Sequence, residues 1–267
     1  MSETSIPSSP RKGVWMFPNT PASRLVEAVV VAEECGLDEV WIADEGVARD
    51  PMAVLAAAAD ATATITLAVG ITSPLLRHPG AIAATAATVD ELSGGRFVLG
   101  LGVGGEKSLA PFALSTDRPV GVLREAIGVA RAVLADETGE GYRRPAHGFG
   151  PRAVPVWVGA RGPQIVRLAA RVADGVFLSG CTADQHEQIV EVVRSVGRST
   201  GVAIYQSASD TSVSPSITGW DEVGPLLERE AARWGPSSIG VNLVDLNDGG
   251  ADPVALVRRA AEVLTGL

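Results

Sequence analysis

Two cysteines in 267 residues, Cys35 and Cys181, lie far apart and form no CxxC pair. They supply neither a disulfide framework nor a thiol metal site, and so sparse a thiol content fits a reducing cytosol, hence a cytoplasmic protein. Cys181, just after an apolar run, reads as a small buried hydrophobe. Positive charge is in the minority: 22 Lys and Arg stand against 31 Asp and Glu, for a formal net charge of −9. That balance argues against nucleic acid or an anionic membrane surface as a partner. It says little about a small anionic cofactor, which responds to its local site. No apolar run approaches the roughly 18–20 residues of a membrane span. Residues 1–12, rich in Ser and Pro, lack an apolar signal core and read as a flexible tail. Of the histidines, His147 falls in a glycine-rich loop and His186 on a helix face; neither has metal-ligand company, so no metal site is expected.

Aromatics contribute only 4%, whereas hydrophobic residues reach 46%, dominated by Ala and Val. This suits a large core of close helix-on-sheet packing, and residues 13–267 read as a single domain. One grammar recurs along them: a short apolar run, then a helix opened by Pro or a capping side chain. The strand candidates are Gly13–Phe17, Val40–Ala43, Ile65–Gly70, Phe97–Leu101, Val154–Val158, Val176–Leu178, Val202–Ser207 and Ile239–Val244. The helices between them open at Thr20-Pro21, Asp50-Pro51, His78-Pro79, Pro119, Pro163, Thr182, Trp220 and Asp252-Pro253. Eight strand–helix pairs with near-continuous apolar strands predict a (β/α)8 barrel with short rim loops, working at the C-terminal ends of its strands. The glycine-rich stretch Thr138–Gly150 then lies on the lower or outer side, and the polar stretch Ser207–Gly219 on the working face.

Two glycine-rich turns carry the chemical signal. Gly159-Ala160-Arg161-Gly162 follows the fifth strand and precedes Pro163. The unpaired amides and the positive helix end of such a turn favour an anion, although a tight turn without a ligand has the same composition. Gly100, Gly102 and Gly105 match GxGxxG after a strand. The helix that fingerprint requires does not follow, because Glu106–Arg118 contains Pro111 and no clear apolar stripe. These glycines read instead as a place where the chain approaches a flat ring or its phosphate. The other strand ends bring Asp44-Glu45, Gly70-Ile71-Thr72-Ser73, Gly102 to Glu106 and Ser179 to the same rim. His78 before Pro79 reads as a helix cap.

The runs WIADE, VGITSPLLRHP, LSGGRFVLGLGVGG and PVWVGARGP…RLAARVADGVFLSG resemble the luciferase-like flavin oxidoreductase superfamily. Within it, the resemblance is to the F420 (deazaflavin) branch of methylenetetrahydromethanopterin reductase and F420-dependent glucose-6-phosphate dehydrogenase, over most of residues 13–200. The resemblance implies a non-prolyl cis peptide at Gly70–Ile71 behind the ring, and ring-edge hydrogen bonds from Thr72 and Ser73. It further implies cofactor contacts by Asp44, Gly102, Gly104 and the Gly159–Gly162 turn. It departs where many relatives place a catalytic His after the Asp; here Glu45 stands, and it serves proton transfer if burial raises it from about 4.3. Glu106 lies one residue from the family's other acidic position, as a second candidate. Ser179 and Thr182 fall where the sugar-phosphate branch has Thr and Lys, so Ser179 is the substrate candidate and the cation is missing. The implied function is hydride transfer between F420 and a small organic substrate, in a homodimer. The alternatives are an FMN-dependent monooxygenase and a flavin-binding protein without turnover.

Overall fold

Apolar residues that alternate small and branched side chains bury both faces of a strand, and each such run here is followed by a capped helix that covers it. The structure is a computed structural model, and it describes residues 9–197, 200–207, 219–243 and 250–267. Its strands are β1 (Arg11–Met16), β2 (Glu39–Ile42), β3 (Thr66–Thr72), β4 (Phe97–Leu101), β5 (Val156–Gly159), β6 (Gly175–Ser179), β7 (Gly201–Ser207) and β8 (Ser238–Asn242). All pair in parallel in chain order, and β8 closes on β1, so the (β/α)8 barrel is present. The helices are α1 (Ala22–Glu34), α2 (Pro51–Ala61), α3 (Pro79–Leu92), α4 (Glu106–Leu109), α5 (Pro119–Leu134), α6 (Pro163–Val172), α7 (Ala183–Ser195), α8 (Trp220–Trp234) and α9 (Pro253–Thr265).

Capping chemistry explains where the helices begin. Asp50 accepts from the amides of Met52 and Ala53 at 2.9 and 3.3 Å, and Asp252 from that of Ala255 at 3.3 Å. His78 Nδ1 accepts from Gly80 N at 3.1 Å, which is the cap expected of it. Thr182 and Gln185 form a reciprocal capping box at α7.

Several boundaries differ from the sequence reading. β1 begins at Arg11, inside the expected tail, because Arg11 and Lys12 pair with Ser238 and Ile239 and so help close the barrel. Residues 1–8 lie outside the described residues, as do Val244 and residues 208–218 of the polar stretch. β5 begins at Val156, two residues late, where its ladder to β4 starts. Glu106 does open a helix, but one of only four residues, which Pro111 carries into a 3-10 turn at Ala110–Phe112.

Inside the barrel, Trp41, Phe177 and Tyr205 form a second core with Trp15 and Trp157 packed against it. The Trp41 and Phe177 rings lie 4.5 Å apart, and those of Phe177 and Tyr205 5.0 Å. Few aromatics are present, yet five fill the lumen. They stop it below the strands' C-terminal ends, and the floor they make is where the site begins.

Candidate active site

A cavity of about 390 Å³ opens at the C-terminal ends of β1 to β6. Such a volume lies within the range of small-molecule sites. Trp15 and Phe177 form its floor, Gly70, Ile71 and Gly102 one wall, Asp44 and Glu45 an acidic edge, and Gly159 to Arg161 with Ser179 the opposite side.

Strand β3 shapes the wall. Its pairing with β4 shifts register between Val69 and Thr72, and the Gly70–Ile71 peptide is cis, at the bond the family resemblance singles out. Trp15 Nε1 donates to Gly70 O, which ties the bulge to the floor. Ile71 then projects into space that glycines leave open. A Cβ added to Gly102 would lie 2.6 Å from Ile71 Cδ1, and one on Gly159 2.8 Å from its Cγ2. Gly102 and Gly159 therefore make room for this side chain while still lining the cavity, whereas Gly100 of the GxGxxG run lies off the cavity lining. At Gly100 an added Cβ would meet Val69 O at 2.2 Å.

The register shift also redirects the next two residues. Thr72 donates to Asp44 Oδ2 at 2.6 Å, and Ser73 to Val103 O at 2.7 Å. Both are buried and neither lines the cavity. The Thr72 and Ser73 hydroxyls, expected at a ring edge, support the wall from behind in this structure. Asp44 is held from two sides, since its Oδ1 accepts from Gly46 N at 3.1 Å. Glu45 lines the cavity beside it and is half-buried. Glu106 does not join them: it is exposed on the α4 turn, which carries it away from the wall.

On the far side, Gly162 is the N-cap of α6, and no side chain caps that end. Gly159, Ala160 and Arg161 reach the cavity, while Gly162 stays on the outer rim. Arg161 donates to Ser179 O at 2.9 Å, and Ser179 Oγ accepts from Asn242 at 3.2 Å. Amides, helix end and guanidinium therefore converge on one side of the opening. That donor set fits the phosphate of a flavin-type cofactor, and the flat wall of Ile71, Gly70 and Gly102 over an aromatic floor fits a tricyclic ring.

Behind the rim lies a network that the sequence reading passed over. His186 Nδ1 and Glu230 Oε1 are 2.7 Å apart, and Gln206 donates to Glu230 at 3.0 Å and to Cys181 O at 3.3 Å. All four residues are buried. Burial alone would lower the imidazole, but Cys181 and Glu230 overcome it and raise it from 6.5 to about 9. The signal was available in α8, where Val223, Leu227, Glu230 and Trp234 share one buried stripe and Glu230 is the polar exception. Cys181 is buried, as expected. Trp15 and Phe177 were also missed, although both lie at inward positions of their strands. Among the described residues no helix is long and apolar enough to cross a membrane, and no group of three or more His, Cys, Asp or Glu is placed to hold a metal ion.

Comparison with known proteins adds a family to this geometry. The profile of the luciferase-like monooxygenase family matches residues 3–215. A 5,10-methylenetetrahydromethanopterin reductase of Methanolobus tindarius is 30% identical over 195 residues, which is 71% of this chain and 60% of that protein. An F420-dependent glucose-6-phosphate dehydrogenase of Nakamurella multipartita is 33% identical over 177 residues, 57% of this chain and 51% of that one. The chain thus spans about half to three-fifths of these relatives. Among solved structures, the coenzyme F420-dependent tetrahydromethanopterin reductase of Methanopyrus kandleri superposes with a TM-score of 0.66. That match has 22% identity and covers 94% of this chain and 83% of the other, a likeness of fold.

Proposed function

We infer a function from one premise: the chain belongs to the luciferase-like monooxygenase family. The reading is an oxidoreductase that binds the deazaflavin F420 in the cavity at the barrel mouth and acts on a small organic substrate. When bound, such a cofactor supplies or accepts a hydride at the central carbon of its ring. The observation that carries the reading is the meeting of three features around one opening: the Gly70–Ile71 bulge, the Asp44–Thr72 pair and the turn from Gly159 to Gly162.

The chain's residues divide the work. Ile71, Gly70 and Gly102 back the ring, and Trp15 holds that wall from below through Gly70 O. The first-turn amides of α6 and the Arg161 charge favour the cofactor's phosphate. Asp44, fixed by Thr72 and Gly46, presents a carboxylate in a set orientation. Glu45, next to it at the cavity edge, moves the proton that accompanies hydride transfer. Glu106 takes no part, being exposed and off the wall. Ser179, oriented by Asn242, faces the substrate. Positioning and electrostatics are the protein's contribution.

Fluorescence titration of the purified protein with F420 and with FMN tests the cofactor. Micromolar F420 binding with much weaker FMN binding is expected. The opposite order would favour the FMN monooxygenase reading. Glu45→Gln is expected to retain F420 affinity while turnover of reduced cofactor with an added acceptor falls at least 100-fold. Intact affinity with no turnover in the parent protein would leave a flavin carrier.

A further inference from the structure

Asp44 also lines a second cavity, of about 220 Å³. Its other walls are Gly46, Leu76, Arg77, Phe112 and Leu114, drawn from the loops after β2, β3 and β4. The reading above leaves this space unused.

The cavity is shaped by the backbone around it. Gly46 has φ +70, and a Cβ there would meet Ser108 O at 2.8 Å and Phe112 Cε2 at 3.0 Å, so the glycine lets the Phe112 ring close against the β2 loop. Ala113 has φ 53 in the left-handed region, and Leu114 N returns to Leu109 O at 3.2 Å. This turn swings Phe112 and Leu114 to the same cavity. Apolar surface remains open to water there: Phe112 is 49% exposed, and Val47, next to Gly46, is 71% exposed. Leu76, Phe112 and Leu114 give the cavity apolar walls beside its two charged residues, Asp44 and Arg77.

The charges restrict what enters. Arg77 is ion-paired with Asp50, so its positive charge is already balanced. Asp44 adds a negative charge, and Glu45 is its neighbour in the chain. A carboxylate or phosphate would meet net repulsion and no uncommitted cation among the lining residues.

We propose that the cavity beside Asp44 seats the apolar part of the substrate, and that this part is an uncharged aliphatic or alicyclic body. The two cavities share Asp44 in their linings, so the reacting carbonyl or hydroxyl group is assigned to the part of the substrate that faces the main cavity. This assignment of substrate class rests on the oxidoreductase reading, whereas binding of an apolar group in the cavity can be measured without cofactor.

The probes are cyclohexanone and cyclohexanecarboxylate, titrated into the cofactor-free protein and followed by amide shifts in NMR. Cyclohexanone is expected to move the amides of Gly46, Leu76, Phe112 and Leu114, with the carboxylate at least tenfold weaker. Phe112→Ala is expected to weaken cyclohexanone about fivefold to tenfold. Leu114→Trp, which fills the space, should abolish its shifts. Both variants should keep the parent's F420 affinity, which also shows that they fold. Equal binding of the carboxylate, or shifts unchanged in both variants, would overturn the proposal. A parent protein that binds cyclohexanone as stated but neither F420 nor FMN would instead remove the oxidoreductase reading and leave the cavity assignment standing.

Discussion

Ile71 occupies space that glycines vacate, so its neighbours cannot be exchanged independently. Gly102→Ala is expected to cost about 1–3 kcal/mol through overpacking. In the double variant with Ile71→Ala, part of that loss should return, giving non-additive urea midpoints. Additive losses would mean that the glycine serves some other contact. This contact was not legible in the sequence. A glycine run after a strand suggests a ligand's approach, and nothing in linear order reveals that a side chain thirty residues earlier fills the gap. Glu45 and Asp44, by contrast, were legible, because the end of an apolar strand fixes where its next residues point. His186 offers a second test at this scale. Its folded value of about 9 lies above the ordinary 6.5. The stabilisation is therefore complete below about pH 6.5 and lost as pH rises through 9, an effect on the order of 3 kcal/mol. Urea midpoints measured from pH 6.5 to 10 should fall more steeply in the parent than in His186→Gln. Parallel slopes would show that His186, with its Cys181 and Glu230 partners, does not carry this linkage.

Short elements depend on what holds their ends, and β3, which carries the cis peptide, is held at its start by a carboxylate from α1. Glu33 accepts from the amides of Ala63, Thr64 and Ile65 at 2.6 to 3.1 Å, and from the Thr64 hydroxyl at 2.9 Å. Burial would raise this carboxyl, but those bonds, Thr64 and Ile65 foremost, bring it down from 4.5 to about 2. Arg96 works on the same corner, donating to the carbonyls of Ala59, Thr62 and Ile65 at 2.7 to 3.0 Å. Glu33→Gln should cost about 2 kcal/mol at neutral pH, since charge-assisted bonds to three amides weaken. A group lowered by folding stabilises above its unfolded value and loses that effect as pH falls. The gap between parent and variant should therefore close between pH 4.5 and 2 in thermal melts, and a gap that persists at pH 2 would contradict the assignment. Helix starts were readable because Asp50-Pro51, His78-Pro79 and Asp252-Pro253 are local signals. The Glu33 and Arg96 clamps were not, because each joins residues about thirty or more apart.

Across the whole barrel, the two ends do different work. The upper end is open and glycine-lined. The lower end is closed by Glu39, which is buried and accepts from Trp41 Nε1 and Tyr205 Oη, each at 2.7 Å, and from Ser238 Oγ at 2.5 Å. Arg11 Nε lies 3.4 Å from its other carboxylate oxygen. Burial and the Glu39 charge hold the Tyr205 phenol well above its usual range, so it stays a donor. One carboxylate thus gathers side chains from β1, β2, β7 and β8, the strands where the barrel closes. The alternation of strand and helix was enough to foresee the barrel, but the plug could not be foreseen, because closure alone brings Glu39 and Tyr205 together across 166 positions. Removing it strands two buried hydroxyls and a buried indole N–H, so Glu39→Ala should destabilise by about 3–5 kcal/mol. Cofactor affinity, set at the opposite end above a floor of aromatic rings, should remain within about twofold, by the division between stability below and chemistry above that barrels of this kind follow. Denaturant unfolding and F420 titration on the same preparation separate the two quantities. If affinity falls in step with stability, the aromatic layer transmits the loss upward and the two ends are one cooperative unit.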